Sequence, residues 1–150
     1  MITRVCFGLM LLVWSPVSGD PAREELDRHQ GVWRTSTSIH DGQEASAELA
    51  RSITRTVSGD HVVWKRDGKS FAGTRIELDA SRHPKAIDVI PDGGRNRGER
   101  VLGIYKLEGD RLTICMAGPG KPRPSEFRSE KGSGWTLRTF VRESSPGSKQ

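Results

Sequence analysis

Apolar residues along this chain come in short runs separated by turns rich in Gly and Asp, and within several runs they alternate with polar residues, the period-two pattern of half-buried strands. The clearest pair spans 101–107 and 112–116, where Val, Leu, Ile and Tyr flank Glu108-Gly109-Asp110. Gly109 supplies the positive φ of a tight turn, so this stretch predicts an antiparallel hairpin. Beyond Met116 the pattern breaks at Gly118-Pro119-Gly120-Lys121-Pro122-Arg123-Pro124. Prolines lack the amide donor that a central ladder needs, so the chain must leave the sheet there, and a short strand over 127–129 is expected on its return.

Upstream, residues 21–30 are helix formers with acidic residues early and a basic pair late, which matches the helix dipole and predicts one short helix ended by Gly31. Gly31-Val32-Trp33 opens a strand that reaches Ser38 or Ile39 and turns at Asp41-Gly42. Residues 44–51 favour a helical turn, a loop with a buried Leu49 fitting nearly as well. Strands are expected at 53–57 and 61–65 around Ser58-Gly59-Asp60, then at 71–78, 85–90 and 135–142. Alternation puts Ile87 and Val89 on one face, whereas 101–107 is apolar on both faces and leaves its inward side open. About eight or nine short strands, with no helix long enough to cross between parallel partners, predict an antiparallel all-β sandwich or barrel. Closure removes edge strands, so an up-and-down β-barrel of about eight strands with a short N-terminal helix is the expected fold.

Three features outside the strand pattern change the picture. Arg4 precedes an apolar run over 5–14 that is too short to span a bilayer, and Val17-Ser18-Gly19 offers small residues to a signal peptidase. The expected organisation is a signal peptide over 1–19, one barrel domain over 20–143 and a disordered polar tail over 144–150. The protein is therefore expected to be exported, periplasmic or extracellular, without stable membrane insertion after cleavage. Cleavage would remove Cys6 and leave Cys115 as the one cysteine, so no intrachain disulfide is expected and stability rests on packing. The net charge of +5 is spread among interleaved signs. Even the Arg95, Arg97 and Arg100 cluster lacks interleaved aromatic residues, so nucleic-acid binding is not expected.

Candidate chemistry is sparse. His29, His40, His61 and His83 show no metal-site spacing, and neither a nucleophile elbow nor a phosphate-binding loop is present, so no catalytic residue, metal or cofactor is predicted and the protein reads as non-enzymatic. Cys115 alternates with Ile114 and Met116 and reads as a half-buried strand thiol. Among carboxylates, Glu126 is expected to pair with Arg123 and fix the proline-rich crossing, and Asp88 to face solvent. The aromatic set Trp33, Trp64, Phe71, Tyr105, Phe127, Trp135 and Phe140 can either fill a barrel of this size or line a ligand cavity. If a cavity exists, Trp64, Tyr105 and Trp135 are its predicted lining.

Several stretches carry a resemblance that covers nearly all of the chain after residue 19. Leu26-Asp27-Arg28-His29-Gln30-Gly31-Val32-Trp33, His83-Pro84-Lys85-Ala86-Ile87-Asp88, the hairpin from Leu102 through Gly103-Ile104-Tyr105 to Ile114-Cys115, and Arg123-Pro124-Ser125-Glu126-Phe127 resemble the small uncharacterised domain family that planctomycete bacteria carry in many copies. The resemblance implies a secreted, lipocalin-like β-barrel without an assigned activity. Gly31-Val32-Trp33 is also similar to the Gly-x-Trp opening of lipocalins, which implies that Trp33 closes one barrel end beneath a basic residue from a late strand, Arg138 or Arg142. The expected function is binding of a small apolar or amphipathic molecule in the interior, with Trp33, Trp64, Tyr105 and Trp135 as ligand-binding residues. The alternative is a filled barrel that meets protein partners or the cell envelope through loops 93–100 and 118–124.

Overall fold

The computed structural model describes residues 19–144, so the expected signal peptide and the expected tail lie outside the described residues apart from Gly19 and Ser144. The chain opens with α1 (Pro21–Arg28). Asp20 caps it by accepting from the Ala22 amide at 3.1 Å, Pro21 sits in the first turn where its missing donor costs nothing, and Arg28 meets the negative end of the dipole. Strands β1 (Gly31–His40) and β2 (Gln43–Glu44) follow, joined through Asp41 and Gly42 at φ 49° and 80°, the left-handed pair that a tight hairpin turn requires. The helical turn expected next forms as α2 (Ala47–Arg51), capped by Ser46, and it buries Ala50 while Leu49 stays exposed.

The remaining strands are β3 (Ile53–Ser58), β4 (His61–Arg66), β5 (Lys69–Asp79), β6 (Lys85–Pro91), β7 (Val101–Glu108), β8 (Arg111–Met116) and β9 (Thr136–Arg142). From β3 onward each pairs antiparallel with its sequence neighbour, β3 pairs with β1, and β9 returns to β1 from Trp33↔Arg142 to His40↔Thr136. Eight strands thereby close an up-and-down barrel, with β2 as a two-residue extension of β1. Among the described residues no long open edge is left for another chain to join. Two register shifts mark bulges, one between Thr35 and Thr37 in β1 and one where Phe71 of β5 is the extra residue opposite Trp64 and Lys65. A bulge re-aims the side chain it adds, and the second one turns Phe71 towards the barrel mouth.

The strand expected over 127–129 does not form. β8 pairs directly with β9 from Arg111↔Val141 to Met116↔Thr136, so no ladder position between them is vacant. Residues 118–134 instead cross the outside of the barrel. Arg123 Nη1 donates to the carbonyls of Gly103 and Ile87 at 2.7 and 3.3 Å, and the Cys115 thiol donates to the Arg128 carbonyl at 3.3 Å. Beneath this crossing Ala86, Ile104 and Cys115 point outward yet are buried, which explains why 101–107 is apolar on both faces: Tyr105 faces the interior and Ile104 the crossing. The carboxylate partner of Arg123 is Asp88, at 2.7 Å, and not Glu126, which pairs with Arg128 at 2.7 Å. Asp88 is accordingly held in an ion cluster with Arg123 and Arg100 on the outer surface.

Candidate functional site

The two ends of the barrel interior differ. At the end covered by α1, Trp33, Tyr105, Val57, Val62 and Leu112 pack into a continuous core beneath Leu26. The Trp33 indole donates to the His29 carbonyl at 2.9 Å, and the Arg142 guanidinium stacks 4.1 Å from the Trp33 ring while donating to the carbonyls of Arg28 and Gln30 at the helix C-terminus. Arg142 thus occupies the place that the lipocalin resemblance offered to either Arg138 or Arg142. Glu25, buried under the helix, accepts from Lys85 at 2.9 Å, from Arg28 at 2.9 Å and from the Tyr105 hydroxyl at 2.7 Å. Burial raises its carboxyl pKa, but the hydrogen bonds from Lys85 and Tyr105 and the charges of Lys85 and Arg28 outweigh that and hold it below the usual carboxylate range. The same neighbourhood, burial first and the Glu25 carboxylate second, pushes the Tyr105 phenol up. This end is closed and its charges are matched.

At the opposite end the interior opens into a cavity of about 310 Å³. Its walls are aliphatic: Ile76 from β5, Ile87 and Val89 from β6, Val101 from β7, Ile114 and Met116 from β8. Room on the β7 side comes from Gly103, because a Cβ there would lie 2.2 Å from the Met116 sulfur that folds across it. Trp64, Phe71 and Phe140 supply aromatic faces, and Thr74 accepts from the Trp64 indole at 3.3 Å. The ionisable residues of the lining are three arginines, Arg55, Arg66 and Arg138, and no carboxylate accompanies them. Arg66 sits at the rim, stacked 5.5 Å from the Phe71 ring.

Arg55 is the unusual member. Alternation along β3 sends Ile53, Arg55 and Val57 to one face, and that face is the interior. The residue is 1% exposed, and its Nε and Nη1 find no hydrogen-bond partner among the described residues. Its guanidinium carbon lies 5.7 Å from the Trp64 ring centroid and 5.4 Å from that of Phe140. Such contacts contribute about 0.5–2 kcal/mol each, against a desolvation penalty of several kcal/mol for a buried ion, so the cation is left under-compensated. Burial pushes its pKa down to about 10, which still leaves it charged at neutral pH. Arg138 approaches the other side of the site, 5.7 Å from Trp64, with Nε donating to Ser38 Oγ at 3.2 Å, and burial lowers its pKa as well.

Of the residues singled out in the sequence, Trp64 lines the cavity, while Trp33 and Tyr105 belong to the closed end. Trp135 is half-buried just before β9, outside the lining, and its carbonyl accepts from the Asp41 amide and Ser129 Oγ. Sequence reasoning missed Arg55 and the orientation of Phe71, and it offered Arg138 only as a partner of Trp33, not as part of the cavity. For the two arginines a signal existed, since Arg55 shares its strand face with Ile53 and Val57, and Arg138 with Phe140. The Cys115 thiol is buried beneath the crossing and burial pushes its pKa up, the reverse of what a nucleophile needs. Among the described residues no group of three or more His, Cys, Asp or Glu side chains is placed to hold a metal ion, and no helix is long and apolar enough to cross a membrane. Comparison of the chain with protein-family models, curated proteins and solved structures finds no match in any of the three.

Proposed function

We propose that this protein is an exported, non-enzymatic barrel that holds a small amphipathic molecule in the cavity at its open end. The observation that carries this reading is the contrast within one interior: packed core beneath α1, and about 310 Å³ of apolar-walled space with a few polar groups at the other end. Small-molecule sites have that composition and that volume. The leader-like pattern over 1–19 and the resemblance to a secreted barrel family support export.

The test is a titration of the folded chain from residue 20 onward with a neutral apolar fluorophore, N-phenyl-1-naphthylamine, beside native mass spectrometry of protein isolated gently from its own host. Saturable binding at one molecule per chain is expected. Ala72→Trp, at an exposed position of the lining, is expected to obstruct the mouth and weaken binding about tenfold or more without loss of fold. A folded protein that neither binds the fluorophore nor carries a co-purifying molecule would overturn the reading and turn attention to protein partners.

A further inference from the structure

We infer that the cavity selects an amphiphile with a single negative charge, a fatty-acid-class carboxylate, seated head-down against Arg55 with its alkyl tail towards the mouth. The inference rests on the ligand-binding reading above and specifies the chemistry of its ligand. Three observations support it. Arg55 lies at the inner end of the cavity, in the same cross-strand row as Trp33 of the closed core on one side and Trp64 on the other. Its Nε and Nη1 have no acceptor among the described residues, and among these the lining contains no Asp or Glu to neutralise it. Buried charges are paired as a rule, and a guanidinium matches a carboxylate in both charge and donor geometry.

Hydrogen bonding favours Arg55 as the seat of a single head group. Arg138 has one donor on the neutral Ser38 hydroxyl and Arg66 is exposed at the rim, so Arg55 is the cation of the lining whose buried donors lack any partner among the described residues. Thr74, whose oxygen accepts from Trp64, keeps its hydroxyl proton for an incoming acceptor. Above this polar floor the walls are mainly aliphatic and aromatic, with Arg138 and Thr136 as the polar members short of Phe71 and Arg66 at the mouth, which suits an unbranched tail. Arg66 there also favours anion entry over cation entry.

The experiment compares decanoate with decanol, displacing the neutral fluorophore from wild type and from Arg55→Met at neutral pH. Wild type is expected to bind decanoate at least tenfold tighter than decanol, and Arg55→Met to weaken decanoate about tenfold while leaving decanol unchanged. Retained decanol binding shows that the variant's cavity is intact. Arg138→Gln serves as a second variant, with a smaller loss expected because Arg138 already has Ser38. If the acid and the alcohol displace the fluorophore equally in wild type, or if Arg55→Met keeps full preference for the acid, the anion inference falls and the cavity reading stands. If wild type binds neither the fluorophore nor either ligand, both fall.

Discussion

Two buried charges sit in the two parts of one barrel interior, one in the closed core and one at the floor of the cavity, and they are treated oppositely. Glu25, beneath α1, accepts from three donors, one each from α1, β6 and β7. Arg55, on β3, has two aromatic faces and no acceptor, and it borders open volume. A buried ion with its partners in the chain is compensated; a buried ion without them carries an unmet desolvation cost, which on the reading proposed above a ligand would offset. On that reading the difference between the ends divides a stabilising plug from a binding site within a single interior.

The largest effect is expected from breaking the matched end. Glu25→Ala removes the acceptor of Tyr105, Lys85 and Arg28 at once. Lys85 and Arg28 are partly exposed and regain water, which discounts the cost, but the buried Tyr105 hydroxyl does not, so a loss of about 2–3 kcal/mol in urea unfolding is expected. A loss below about 0.5 kcal/mol would mean that the plug does not depend on this charge.

Slightly smaller is the effect of acid on the same end. His29 is fully buried, edge-on to Tyr105 at 4.9 Å, and neither ring nitrogen has a partner among the described residues. Burial first, then the positive field of Arg55, with Arg142 and Arg28 adding to it and Glu25 opposing, pushes its pKa from 6.5 down to about 3. The folded state therefore requires a neutral ring: the stability is present above pH 6.5 and declines as pH falls from there towards 3. Between pH 6.5 and 5 the decline amounts to about 2 kcal/mol. Glu25, whose pKa is held down, adds its own loss as pH falls from the ordinary carboxylate range downwards. His29→Phe keeps the ring stack with Tyr105 and should flatten the unfolding profile over that upper interval; an unchanged slope would assign the acid sensitivity elsewhere.

The architecture was legible because its cues are local. Turns such as Glu108-Gly109-Asp110 and Ser58-Gly59-Asp60 sit between alternating runs, and every connection, the long crossing at 118–134 included, joins neighbouring strands of the barrel. The misplaced strand over 127–129 failed for a non-local reason, since only the whole sheet shows that β9 already occupies the edge of β8. Arg123 was assigned to Glu126 by nearness in sequence, whereas the crossing brings it to Asp88 on β6. Tyr105 and Trp135 read as lining, and Trp33 as a ligand-binding residue as well as the closure of one end, because aromatic content does not reveal which end α1 fills. Arg55 is the most instructive miss. Its residue type speaks for solvent, and its place in Ile53-Thr54-Arg55-Thr56-Val57 speaks for the interior. The period of the strand decided, and the conflict between type and pattern marked the site.

The smallest effect expected in stability carries the opposite sign to the first. Arg55→Met replaces an uncompensated buried cation with an apolar side chain of similar length. The cation–π contacts with Trp64 and Phe140 are lost, about 0.5–2 kcal/mol each, but the larger desolvation penalty is relieved. The nearby His29 also loses the strongest of the cations that oppose its protonation. In ligand-free protein the variant is therefore expected to unfold at higher urea than wild type, with a gain of about 1 kcal/mol. Wild type should recover that deficit, and the variant should not, when decanoate is added. Should Arg55→Met instead cost stability as Glu25→Ala does, Arg55 would belong to the structure of the barrel, and the two ends would be alike in having their charges matched.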